Sequence, residues 1–130
     1  MTKEEHIKYW VTTSKNDWKR AESLLNLKDY AFALFCVHLS IEKIAKALWV
    51  KEHDTDYPPR IHNLITLFSK TSFKPNEDQL ALMNDLNFFQ MEGRYPEHAK
   101  KIHRIARASY TKDLFLKTKE LRTCALKMLR

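Results

Sequence analysis

A single glycine, Gly93, stands in the whole chain. Glycine is the residue that supplies positive φ without steric cost, so its scarcity removes most tight hairpin turns. The glycine-rich phosphate cradles of Walker and dinucleotide-binding loops are excluded for the same reason. Cysteine is nearly as rare: Cys36 and Cys124 lie far apart, each inside a helical pattern, and read as free buried thiols. There is no Cys-x-x-Cys, no His-Glu-x-x-His and no Glu followed three residues later by His, so zinc and carboxylate di-iron chemistry lack their ligands. No metal and no cofactor is expected. No run approaches the roughly 18 apolar residues of a membrane span, and the opening MTKEEHIKYW has no apolar core of signal-peptide type. A soluble cytoplasmic protein without a membrane partner is expected.

What is present suffices for a core without disulfides or metals: 130 residues, 44% hydrophobic and 12% aromatic. There is no internal repeat, low-complexity run or linker, so residues 1–130 read as one domain. The formal charge of +7 favours anionic partners such as nucleotides or RNA, because clustered Lys and Arg neutralise phosphates and release counterions.

Apolar periodicity places the helices. Ile7, Trp10, Val11, Trp18, Ala21 and Leu25 form one face of a first helix from about Lys3 to Leu27, and Asp29 suits the N-cap of the next. From Tyr30 to Val50 the chain is apolar around most of its circumference, as in a helix surrounded by others. Tyr57-Pro58-Pro59 forces a loop, after which Ile61, Leu64, Ile65 and Phe68 mark a short third helix. Asn76 is the expected cap of a fourth, with Leu80, Met83, Leu86 and Phe89 as its buried line and Gly93 and Pro96 as its stop. Residues 97–109 are ambiguous, and Leu114, Leu121, Cys124 and Met128 define a last helix from Tyr110. The expected fold is all-α, an antiparallel up-and-down bundle of four to five helices.

Four features carry chemistry. His38, Glu42 and Lys46 follow at intervals of four on the central helix, either as an exposed ion-paired edge or as a charged stripe facing a ligand or a dimer groove. His62 fixes a loop or touches a ligand. His6 and His53 read as surface positions. In EGRYPEH, Arg94 offers a planar fork for phosphate, Tyr95 a stacking face and His98 a proton donor or acceptor, unless the stretch is only a helix stop with Arg94 a solvent-facing charge near the helix end. Lys100, Lys101, Arg104, Arg107 and Lys112 form a basic patch with no acid between Glu97 and Asp113, either a phosphate contact or a solvated loop.

Trp18 and Ala21, Asp29-Tyr30-Ala31 leading to Glu42-Lys43 and Lys46-Ala47-Leu48, His62-Asn63-Leu64, and Gly93-Arg94-Tyr95-Pro96 occur in the order of the landmarks of the HEPN domain, which the chain therefore resembles over most of its length. The resemblance implies a homodimer of helical bundles, often paired with a minimal nucleotidyltransferase in a toxin and antitoxin system. In many members an Arg and a His, four to six residues between them, form a metal-independent ribonuclease site shared by two subunits. Here Arg94 and His98, the catalytic candidates, have three residues between them, and Tyr95 follows the arginine. That pattern resembles the branch whose nuclease motif is lost or altered. The expected function is nucleotide or RNA binding through Arg94, Tyr95, His62, Lys43, Lys46, Lys100, Lys101 and Arg104. The alternatives are a composite-site endoribonuclease and a protein adaptor without nucleic-acid contact.

Overall fold

The computed structural model describes residues 1–92 and 94–130. Among them lie six helices: α1 (Lys3–Asn26), α2 (Tyr30–Glu52), α3 (Leu64–Ser69), α4 (Glu77–Phe88), α5 (Pro96–Ile105) and α6 (Ala108–Lys127). No strand occurs among the described residues.

The first two helices form an antiparallel hairpin. Lys3 Nζ donates to the carbonyls of Val50 and His53 at 2.9 and 2.8 Å, and so satisfies the far end of α2. At mid-hairpin, Ser14 Oγ donates to the Ser40 carbonyl at 2.7 Å and Ser40 Oγ to the Ser14 carbonyl at 3.0 Å. Both serines are fully buried, and their small side chains let the two backbones approach. The turn between the helices is tight because Lys28 takes a φ of 63°, the left-handed region that few non-glycine residues enter. The Asp29 N–H then reaches back to the Leu24 carbonyl at 2.9 Å.

α6 runs parallel to α2: Arg122 Nε donates to Ser40 Oγ at 3.1 Å, and Lys51 Nζ to the Met128 carbonyl at 3.0 Å. α4 lies antiparallel to α6, with Phe89 beside Tyr110 at one end and Asn76 across from Cys124 at the other. The four long helices thus make the up-and-down bundle, with α3 packed on α2 and α4, and α5 packed on α2. Leu34, Ile41, Ile44 and Leu48 of α2 are fully buried at the centre. Each contributes about 1.5–3 kcal/mol from removal of its side chain from water.

Local signals behave unevenly. Asn76 forms a complete capping box with Gln79, accepting at 2.8 Å and receiving at 2.9 Å. Asp29 occupies the N-cap of α2 without a side-chain bond. α3 starts at Leu64 rather than Ile61, because the Asn63 side chain caps it. α4 stops at Phe88, and the reading of Gly93 as its terminator falls outside the described residues. Pro96 does not stop that helix but begins α5 at its first position, where its missing N–H costs nothing. Leu82, not Leu80, joins Met83, Leu86 and Phe89 in the core. Both thiols depart from the buried reading: Cys36 is half-buried and Cys124 exposed, because the core-facing line of α6 runs through Leu121 and Ala125. His6 and His53 are half-buried, His53 stacking on Trp49 at 4.0 Å.

Ser40→Ala removes one exchanged bond and the acceptor of Arg122, and should lower urea stability by about 1–2 kcal/mol. Adding Ser14→Ala should cost less than the sum of the two single changes, since both remove the same interaction.

Candidate functional site

Glu42 is the least expected side chain on α2, a carboxylate only 4% exposed in a largely apolar helix. An isolated buried carboxylate is strongly disfavoured, so partners must gather around it. Lys46 Nζ lies 3.1 Å from Oε2 and His62 Nδ1 2.9 Å from Oε1, while His38 Nδ1 stands 3.9 Å away. Lys46 also lies 5.4 Å from the centre of the Trp10 ring. The exposed-edge reading of the His38, Glu42 and Lys46 stripe is therefore corrected: all three are buried. His38 is fully buried, and its ring nitrogens lack well-formed hydrogen bonds. Burial pushes its pKa below the ordinary 6.5, with the Glu42 charge and the Asn87 side chain opposing only in part.

His62 extends this network outward. Its Nε2 lies 3.2 Å from Glu92 Oε2, so the ring bridges a buried carboxylate on α2 and an exposed one after α4. Asn87 joins the same segments, its Oδ1 accepting from the Leu64 N–H at 2.9 Å and its side-chain amide donating to Asn63 Oδ1 at 3.2 Å. The chain leading to Arg94 is thus fixed from α2 and from the start of α3.

Arg94 and His98 converge on the C-terminal end of α4. That end carries no basic residue in its last turn, so its carbonyls lack a cation of their own. Arg94 Nε donates to the Gln90 carbonyl at 3.1 Å, and Nη2 approaches the Asn87 carbonyl at 3.4 Å. His98 Nε2 donates to the Phe88 carbonyl at 2.7 Å. A carbonyl only accepts, so Nε2 carries the proton and Nδ1 is the free acceptor of the neutral ring. Arg94 keeps donors beyond these two bonds, so its charge is held in place yet open to an anion. Both residues line a pocket of about 440 Å³ whose walls include Phe88, Ile105 and Tyr110.

The other candidates divide sharply. Lys100, Lys101 and Arg104 are exposed on α5, whose sole buried residue is Ile102, and Tyr95 is 79% exposed. Arg107, the N-cap residue of α6, and Lys112 on α6 are exposed as well. Lys43 and Lys46 turn inward: Lys43 Nζ stands 2.5 Å from Asp17 Oδ2, an ion contact with a carboxylate that Arg20 also holds at 2.9 Å. Among the described residues, no group of three or more His, Cys, Asp or Glu is arranged to hold a metal ion. No helix among them is long and apolar enough to cross a membrane.

A family model described as HEPN domain matches residues 7–128. The chain belongs to the HEPN domain family. No curated protein and no solved structure matches it. HEPN domains are generally associated with nucleotides or RNA, and they often dimerise. In this HEPN chain the match spans every residue of the Glu42 network and of the α4 end. Sequence reasoning missed Glu92, Asn87, Phe88 and Tyr110; Glu92 opens the EGRYPEH stretch and Phe88 lies just before it, whereas Asn87 and Tyr110 stand in no motif.

Glu42→Leu leaves the buried Lys46 without its anion and His62 with Glu92 alone, and should cost about 3–5 kcal/mol in denaturant unfolding, while Glu42→Leu with Lys46→Met should recover part of that loss. The pH dependence follows from His38. Its folded pKa is depressed, so between that value and the ordinary 6.5 the unfolded chain binds the extra proton. This contribution to stability is full above 6.5 and declines as pH falls below it. Thermal melts between pH 8 and pH 5 should show a smaller acid loss in His38→Gln than in the parent.

Proposed function

We propose that this HEPN chain is a nucleotide- or RNA-binding module. One observation carries the reading: Arg94 and His98 are held at the rim of a pocket with aromatic walls, and the exposed Lys100, Lys101 and Arg104 lie on the helix that carries His98. Arg94 and the α5 lysines and arginine hold phosphates, and Tyr95, exposed at the N-cap of α5, offers a stacking face. His62, Lys43 and Lys46 support the site by holding Glu92, Asp17 and Glu42 rather than by reaching for a ligand. The module works in the cytoplasm as a homodimer, alongside a minimal nucleotidyltransferase in a toxin-antitoxin-type pair, as the nucleotidyltransferase-associated branch of the family does.

The pair also supports a second reading, a metal-independent endoribonuclease. The free Nδ1 of His98 suits a general base, and Arg94 suits charge growing on phosphorus. Against it stands the anchoring of both side chains on α4 carbonyls, which gives each a reason to be present without chemistry.

Fluorescence anisotropy with a single-stranded RNA at low salt tests the first reading. Lys100→Ala, Lys101→Ala and Arg104→Ala together should weaken binding and reduce the salt slope by about 2, near 0.7 for each phosphate no longer neutralised. Absence of salt-sensitive binding to RNA or nucleotide, with a stable protein complex in its place, would assign the chain to the adaptor class. Cleavage in EDTA that disappears in both Arg94→Ala and His98→Ala would establish the nuclease.

A further inference from the structure

The pocket beside Arg94 has two chemically different ends. At one stand Arg94 and His98; at the other, on the preceding turn of α4, stand Asn84 and Asp85. The carbonyls that hold Arg94 belong to Asn87, in the last turn of α4, and to Gln90, just past its end, so Arg94 sits at the helix terminus and Asp85 on the helix before it. Between the ends lie Phe88 and Tyr110, both half-buried, with Ile105 at the side. Neither Asn84 nor Asp85 makes a side-chain hydrogen bond or ion pair among the described residues. Burial and the negative charges of Asp85 and Asp113 raise the pKa of the Tyr110 phenol, so its ring stays neutral as a stacking surface.

A lone carboxylate repels phosphate, so Asp85 makes no sense as part of a purely phosphate-binding pocket. It does make sense against a base. A carboxylate has only acceptors, and guanine is the common base whose pairing edge presents two adjacent donors, N1–H and the 2-amino group. Adenine and cytosine set one amino group beside a ring acceptor, and uracil sets one N–H between two carbonyls; each would place a lone pair against the carboxylate. We infer that this pocket is a base subsite selective for guanine, with Asp85 accepting from the pairing edge, Phe88 and Tyr110 contacting the base faces, and Arg94 holding the phosphate. The inference rests on the nucleotide-binding reading and names the ligand of that same site.

Calorimetric titration of the full chain with GMP, AMP, CMP and UMP tests it. GMP should bind about tenfold more tightly than the others, as a charge-assisted pair implies. Asp85→Asn should abolish that preference while leaving AMP affinity unchanged or raised, since it removes the carboxylate that faces a ring lone pair of adenine. Asp85 is exposed, so the variant should fold, and an unchanged melting temperature verifies this. Equal affinity for the four nucleotides, or a GMP preference that survives Asp85→Asn, overturns the base subsite. The wider reading stands in that case if RNA binding still depends on the α5 cations. Failure of every nucleotide and of RNA to bind removes both.

Discussion

The carboxylate of Glu42 sits on a helix whose other faces are occupied by Leu34, Ile41, Ile44 and Leu48, and four segments are tied to it directly or through a shared partner. Lys46 comes from the same helix, His62 from the loop before α3, Trp10 from α1 by way of Lys46, and Glu92 from beyond α4 by way of His62. A buried ion pair is a poor source of net stability, because desolvation of both partners offsets most of their attraction. Its effect here is on arrangement. An apolar residue at position 42 would bury as well, but it would give the loop carrying His62 and the segment after α4 no fixed station on α2. The bundle could then form with those two segments in several positions.

That constraint passes directly to the α4 end. Asn87 and His62 connect the start of α3 to the region where Arg94 turns back onto the Gln90 and Asn87 carbonyls. The short spacing between Arg94 and His98 looks unfavourable on one continuous helix. It is not one continuous helix: Arg94 precedes the cap of α5 and His98 lies in its first turn, with Pro96 setting the direction between them. Both side chains therefore reach the same helix terminus from different backbone geometries. The resulting bonds are structural, and they also fix the charge of Arg94 at the pocket rim, which a ligand would otherwise have to order at an entropic cost.

The sequence made the helices legible where a periodic apolar face and a cap coincide, as at Asn76 and along α2. It was less legible where a residue type has two uses. Pro96 can end one helix or start another, and only the location of the α4 terminus at Phe88 distinguishes the two. Leu80 and Leu82 both fit an apolar pattern, and neighbouring helices on more than one side of α4 decide between them. Burial of the His38, Glu42 and Lys46 stripe was equally ambiguous, since i,i+4 ion pairs read alike on an exposed edge and in a packed interior. The aromatic walls of the pocket stand far apart in the chain, Phe88 on α4 and Tyr110 on α6, and nothing local joins them before the bundle forms.

Net charge by itself would not have located the site. The chain carries +7, yet its larger cavity, about 690 Å³ between α4 and α6, is lined by Asp78, Asp85 and Glu120 with Lys117 as the one cation among its lining residues. Phosphate would be repelled there. Exposed cations flank the smaller pocket instead, on α5 and at Arg94, and Asp85 lines both cavities. An anion approaching from solvent is drawn to the α5 side, and a ligand that enters the smaller pocket meets positive charge at one end and negative at the other. Such a field orients a dipolar ligand as well as attracting it. A simple polyanion would use only the α5 face, whereas a nucleotide, with its charge at one end and hydrogen-bond donors at the other, can satisfy both ends at once.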